Sequence, residues 1–192
     1  MTDLSILIPA AGASSRMRGG DKLLEPVAGQ PLLRRQAEIA LVTGHPVLIT
    51  LRPGDTARRA ALDQLDVTLL EVPDAATGMS ASLRAAAHRV TTALMILPAD
   101  MPDLTTTADL TRLIAAFGQN PATCHRGASN GKPGHPVILP ARLLPALTQL
   151  VGDEGARSLV AAEGATLVDL PGNHALTDLD TPEDWTRWRA RS

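Results

Sequence analysis

Short runs of β-branched and leucine-rich residues recur along this chain, and between them apolar residues return every three or four positions. The runs SILIP (5–9), PVLITL (46–51), VTLLEV (67–72), ALMILP (93–98), HPVILP (135–140) and ATLVDL (165–170) predict strands. Their continuous apolar character is that of strands buried on both faces. The helical spacing predicts helices over Pro31–Thr43, Asp55–Leu65, Ser80–Val90, Thr106–Phe117, Pro140–Leu150, Glu154–Glu163 and Pro182–Arg189. Strand and helix alternating through short polar joints imply βαβ units and a mostly parallel sheet covered on both faces. Pro31 and Pro182 stand where a first helical residue belongs, and Thr181 followed three residues on by Asp184 predicts a capping box. The polar stretch Asn120–Gly134 is expected to form an excursion over the sheet's carboxyl edge. Ligands of open α/β sheets lie at that edge, so the loops after strands one, three and four are expected to converge there.

Composition narrows the field. A length of 192 residues suits one domain spanning 1–192, and 44% hydrophobic with 20% charged residues is ordinary for a globular chain. A net charge of −2 lacks the basic excess that nucleic-acid binding leaves, and 2% aromatic residues offer no stacking surface for bases. Cys124 is the single cysteine, which excludes an internal disulfide and a multi-thiolate metal site and fits a reducing cytoplasm. A basic leader is not visible, and 18 apolar residues never run together. Neither nucleic acid nor membrane is expected as a partner, and the expected location is cytoplasmic.

The chemistry concentrates first in PAAGASSRMRGGDK (Pro9–Lys22), which puts three glycines, two serines and three cations on the loop leaving the first strand. Glycine lets the main chain approach an anion, and Arg16, Arg18 and Lys22 supply charge-assisted hydrogen bonds, so the loop suits phosphate. It lacks GxGxxG and lacks Gly-Lys followed by Ser or Thr, so neither a dinucleotide fingerprint nor a P-loop fits. The bland alternative is a turn with solvated cations. In LPADMP (97–102), Asp100 sits at the end of a parallel strand, where a carboxylate suits Mg²⁺ shared with substrate phosphates. The alternative there is a turn acid before the next helix, a role open also to Asp103 or Thr105. In LTDLDTPEDW (176–185), Asp178 and Asp180 alternate along an extended segment and face one side. Asp180 is the expected second metal carboxylate with Asp178 behind it, unless Asp180 serves only the helix dipole. ATGMSASLRAA (76–86) opens a helix with Gly78, Ser80 and Ser82, as an anion or polar nucleotide group prefers, although Ser80 reads equally as a plain N-cap. GHPV (134–137) and GDEGAR (152–157) add His135, Asp153 and Arg157 without metal-ligand spacing, and Arg157 is either a second anion contact or a surface cation.

Taken in order, AAGASSRM with Lys22, GMSASLRAA, ADMP, GHPV, GDEGAR and DLDTPED resemble the nucleotidyltransferases of the molybdenum cofactor, from Ile6 to Asp184. The resemblance implies a Rossmann-like three-layer α/β/α sandwich, Mg²⁺ as cofactor, and transfer of CMP from CTP to the phosphate of molybdopterin-bound molybdenum, with release of pyrophosphate. It implies that Ala10, Ala11 and Gly12 meet base and ribose, that Arg16 and Lys22 hold the triphosphate, and that Ser80 and Ser82 lie on the nucleotide side with Gly78. It also implies that Asp100 and Asp180 hold the metal, that Arg16, Lys22 and Asp100 are the catalytic set, and that His135, Asp153, Arg157 and Asp178 face the acceptor. Ala11 before Gly12, where the guanylyltransferase branch more often has two glycines, favours CTP. Arg18 and Glu25 depart from the family pattern. The pterin phosphate is already ionised, so no general base is expected. The same residues leave open GTP on the same pterin, CTP on another acceptor, or a cofactor-binding or insertion module without turnover. A molybdoenzyme or its insertion chaperone is the expected recipient.

Overall fold

The computed structural model describes residues 3–104, 106–152 and 155–191. In chain order the strands are β1 (Leu4–Pro9), β2 (Pro26–Val27), β3 (Gln30–Pro31), β4 (Val47–Leu51), β5 (Thr68–Glu71), β6 (Ala93–Ile96), β7 (Cys124–Ser129), β8 (Lys132–Leu139) and β9 (Ala165–Asp169). The helices are α1 (Leu32–Leu41), α2 (Thr56–Ala61), α3 (Met79–Ala87), α4 (Thr107–Gln119), α5 (Leu144–Leu147), α6 (Arg157–Glu163) and α7 (Pro182–Arg189). Seven strands make one sheet in the order β5-β4-β1-β6-β8-β7-β9, while β2 and β3 form a separate small hairpin. Within the sheet β8 alone runs against its neighbours, which makes it mostly parallel.

Side-chain alternation along β1 divides the core. Leu4, Ile6 and Ile8 pack with Leu33 and Ala37 of α1 and Leu110, Leu113 and Phe117 of α4, whereas Leu7 faces Leu83 and Ala86 of α3 and Leu147 of α5. The sheet is therefore buried between two helical layers, giving a Rossmann-like α/β/α sandwich. From β1 the chain steps to β4 and β5 on one side and returns to β6 on the other. The connections diverge between β1 and β6, and a crevice opens at the carboxyl ends of those two strands.

The six predicted strands are present with ends shifted by a few residues, and α7 matches its predicted bounds. At α7 the Thr181 hydroxyl accepts from the Asp184 N–H, while the Asp184 carboxylate accepts from the Thr181 N–H. Pro31, in contrast, ends β3 and precedes α1. The predicted helix over Pro140–Leu150 is a 3₁₀ turn, Ala141–Leu143, followed by the single turn α5. Glu154, predicted to start a helix, lies outside the described residues, and α6 begins at Arg157. The Asn120–Gly134 excursion is corrected by β7 and the start of β8, a hairpin joined through Asn130 and Gly131 at φ 52° and 72°. Positive φ at both central residues matches the twist of the flanking strands, which is why Asn-Gly belongs there.

Candidate active site at the switch point of the sheet

The first loop leaves β1 with the Ala10 N–H donating to the Thr50 carbonyl at 3.1 Å. Arg58 of α2 then holds it from below. Its guanidinium is fully buried and donates to the carbonyls of Ala10 at 2.6 Å and Gly12 at 2.7 Å, to the Ser14 hydroxyl at 3.0 Å, and to both Asp21 oxygens at 2.7 and 2.8 Å. Burial works to raise the Asp21 pKa, but the Arg58 contacts and the Leu23 N–H outweigh it and hold the carboxyl below its usual range. Further along, Ser14 and Arg18 are left-handed and bracket a 3₁₀ turn, Ser15–Met17. Met17 is buried in a small cluster with Val27, Leu32, Leu179 and Trp185, so one apolar contact fixes the glycine loop, the β2–β3 hairpin and the start of α7 together.

Lys22 closes the loop. Its ammonium donates to Asp100 at 2.5 Å and to Asp180 at 2.7 Å, bridging residues that are 78 and 158 positions away. Burial works to lower the lysine pKa, yet Asp100 and then Asp180 outweigh it and raise it. The two acids are tied through the backbone as well, the Leu179 N–H donating to the Asp100 carbonyl at 3.2 Å. Arg16, largely exposed, pairs with Asp180 at 2.7 Å. Arg18 turns away to Glu183 at 2.8 Å. Beside them Asp178 is raised in pKa, first by burial and then by Asp100 and Asp180. Among the described residues no group of three or more His, Cys, Asp or Glu is placed to hold a metal alone. Two carboxylates converging on one cation do fit Mg²⁺, which takes one or two protein carboxylates and completes its shell with water and substrate phosphates.

These groups line a cleft of about 450 Å³. Ala11, Gly12, Arg16, Lys22, Gly78, Ser82, Asp100 and Asp180 all border it, so the loops after the first, third and fourth predicted strands meet there. Ala10 and Ser80 do not. Ala10 is fully buried, offering its carbonyl to Arg58, and the buried Ser80 hydroxyl accepts from Arg84 at 3.1 Å. Ser80 is not the cap either: α3 starts from Gly78, whose φ of 109° strains any other residue. The Ser82 hydroxyl accepts from Thr50 at 2.9 Å. Asp103 accepts the Trp188 indole N–H at 2.7 Å, while Thr105 lies outside the described residues.

A second cavity of about 680 Å³ adjoins the first and shares Met79, Pro98 and Asp100 with it. His135, Arg157 and Asp178 line it, together with Arg126 and Lys132; Asp153 lies outside the described residues. Arg126 is anchored by its Nε donating to the Gly134 carbonyl at 2.6 Å. Gly134 is required by close approach, since a Cβ there would meet the Ala175 carbonyl oxygen at 1.9 Å. Burial, then Arg126, push the His135 pKa down against the opposing pull of Asp100.

Sequence reasoning missed Arg58, Asp21 and Arg126. The sign for Arg58 was its position one helical turn before the buried Leu62, a cation on an inward face.

A phosphate-type loop, a lysine and two acids at the switch point of a mostly parallel sheet define a nucleotidyltransferase. The chain belongs to the family of the MobA-like NTP transferase domain, whose model matches residues 6–167. It is 28% identical to a molybdenum cofactor cytidylyltransferase of Escherichia coli K12 over 100% of this chain and 98% of that one. It is 26% identical to a molybdenum cofactor guanylyltransferase of Serratia proteamaculans over 97% and 94%. A nicotine blue oxidoreductase of Paenarthrobacter nicotinovorans is 30% identical over 93% and 92%. The crystal structure of Rv0371c from Mycobacterium tuberculosis H37Rv superposes with a TM-score of 0.83 at 28% identity, covering 97% of each chain. A manganese complex of the same protein gives a TM-score of 0.79 at 27% identity over 97% of each.

Proposed function

We propose that this chain, acting as one catalytic domain, transfers CMP from CTP to the terminal phosphate of molybdopterin carrying molybdenum and releases pyrophosphate. The observation that carries this reading is Asp100, which borders both cavities: a nucleotide in the first and an anionic pterin in the second would meet at its carboxylate. The acceptor oxygen attacks the α-phosphorus, a new P–O bond forms, and the bond to the β-phosphate oxygen breaks in line. Asp100 and Asp180 would hold Mg²⁺, which when bound would supply neutralisation of the phosphate charge. Lys22 and Arg16 exchange their carboxylate partners for the departing pyrophosphate, and the loop amides hold the remaining oxygens. An ionised phosphate needs no base.

The choice of CTP rests on Ala11 before Gly12 in the loop that borders the cleft, where the guanylyltransferase branch more often has two glycines. Relatives named for both nucleotides make this the point to test. The purified protein, Mg²⁺ and molybdenum-loaded pterin are incubated with each of the four nucleoside triphosphates, and products are identified by mass. The expected result is the cytosine dinucleotide with one pyrophosphate per product. A guanine dinucleotide overturns the base assignment, and pyrophosphate release without any pterin product overturns the acceptor.

A further inference from the structure

The first loop of the cleft is held by a residue outside every motif. Arg58 is fully buried, and all five of its guanidinium hydrogen bonds go to the segment from Ala10 to Asp21. In a trans peptide the C=O points opposite to the N–H that follows it. With the Ala10 and Gly12 carbonyls drawn onto Arg58, the N–H groups of Ala11 and Ala13 point away from it. Ala11 and Ala13 both border the cleft, and among the described residues neither N–H has a hydrogen-bond acceptor. At the loop's far end Arg58 grips Asp21, whose oxygens also accept from Ser14 and from the Leu23 N–H, and Lys22 sits between those two anchor points.

We infer that Arg58 is a positioning residue for the nucleoside triphosphate, setting the loop so that backbone N–H groups and the Lys22 ammonium face the phosphates. It acts through the main chain and touches no substrate. A planar fork is the fitting shape, because two carbonyls and a carboxylate lie around one guanidinium, a spread that an ammonium cannot span.

The inference rests on the nucleotide reading of the cleft, and the test separates the two. Dissociation constants for magnesium–CTP and magnesium–GTP are measured by titration calorimetry on the full chain, on Arg58→Lys, and on the pair Arg58→Met with Asp21→Asn, which removes both charges of the ion pair. Arg58→Lys keeps the charge and is expected to retain the wild-type circular dichroism, yet to bind the preferred triphosphate about tenfold or more weakly, the scale of a lost charge-assisted contact. Tryptic cleavage after Arg16 and Arg18 is expected to speed up in this variant and to be suppressed by saturating nucleotide. The KM for triphosphate rises while that for the acceptor stays within about twofold, a split that a general loss of stability does not produce. Wild-type affinity in folded Arg58→Lys, or in the double variant, overturns the inference, as does a lowered melting temperature with unchanged affinity. A wild-type chain that binds neither nucleotide overturns the nucleotide reading instead. Should the double variant aggregate, Arg58→Lys alone decides.

Discussion

An ammonium held at 2.5 and 2.7 Å by two carboxylates is a cation position already built, with the cation tethered to the chain. In the proposed reaction Lys22 therefore reports on how the site exchanges charge: a metal and phosphates entering the cleft would give the acids and the lysine each a new partner. Asp100→Ala removes one of the two acids at an accessible edge and leaves the helical layers untouched. We expect magnesium-dependent pyrophosphate release to fall by more than about a hundredfold, with the melting temperature within a few degrees of wild type. A pyrophosphate assay near the wild-type rate would sink the metal assignment. The meeting of Lys22 and Asp100 at one cleft was legible, because one follows a glycine-rich loop and the other a strand end. Arg58 was hidden because a helical arginine reads as a solvated cation, and only the folded chain shows five acceptors converging on it.

Elements differ in how plainly the chain announces them. α7 was legible to the residue at its start because the signals there are chemical: a capping box and a proline at its first position. β7 was not, since CHRGAS carries small and polar side chains, and its order comes from ladders to β8 and β9 that lie elsewhere in the sequence. The Asn130–Gly131 turn was its visible mark. The cap of α7 also bears on the cleft, because Trp185 of that helix packs on Met17 and Leu179. Thr181→Ala is expected to cost about 1 kcal/mol of stability. Because the lost cap loosens the segment carrying Asp180, nucleotide affinity should fall with it, measured by denaturant titration and calorimetry on the same preparation. Lost stability with unchanged affinity would uncouple the helix from the site.

Across the whole molecule, several shifted groups act together on acid stability. Asp184 is lowered to about 2, first through the Thr181 hydroxyl, so its contribution is complete above the ordinary 3.8 and disappears as pH falls towards 2. Asp21, also lowered, acts in the same direction. His135 is depressed below 6.5, so the unfolded chain takes up a proton that the folded chain refuses, and stability declines as pH falls below 6.5. Asp178, raised, opposes this above 3.8. Melting temperature is expected to drop between pH 6.5 and 5, and His135→Gln is expected to flatten that limb while leaving the loss below pH 4. An unchanged slope in the variant would assign the limb to other groups. The layered fold itself followed from alternating strands and helices, whereas the two adjoining cavities depend on how loops from distant positions close over one edge.

The link between Lys22 and Asp180 spans 158 positions, and Leu179 reaches back to the Asp100 carbonyl. During synthesis the glycine loop and Asp100 therefore leave the ribosome well before their last partner exists. A nascent chain that has emerged through β6 still lacks one of the two carboxylates around Lys22, and a chain cut short before position 180 never supplies it. Translation order thus acts as a built-in delay: the pair of acids around Lys22 is complete only once position 180 has been read.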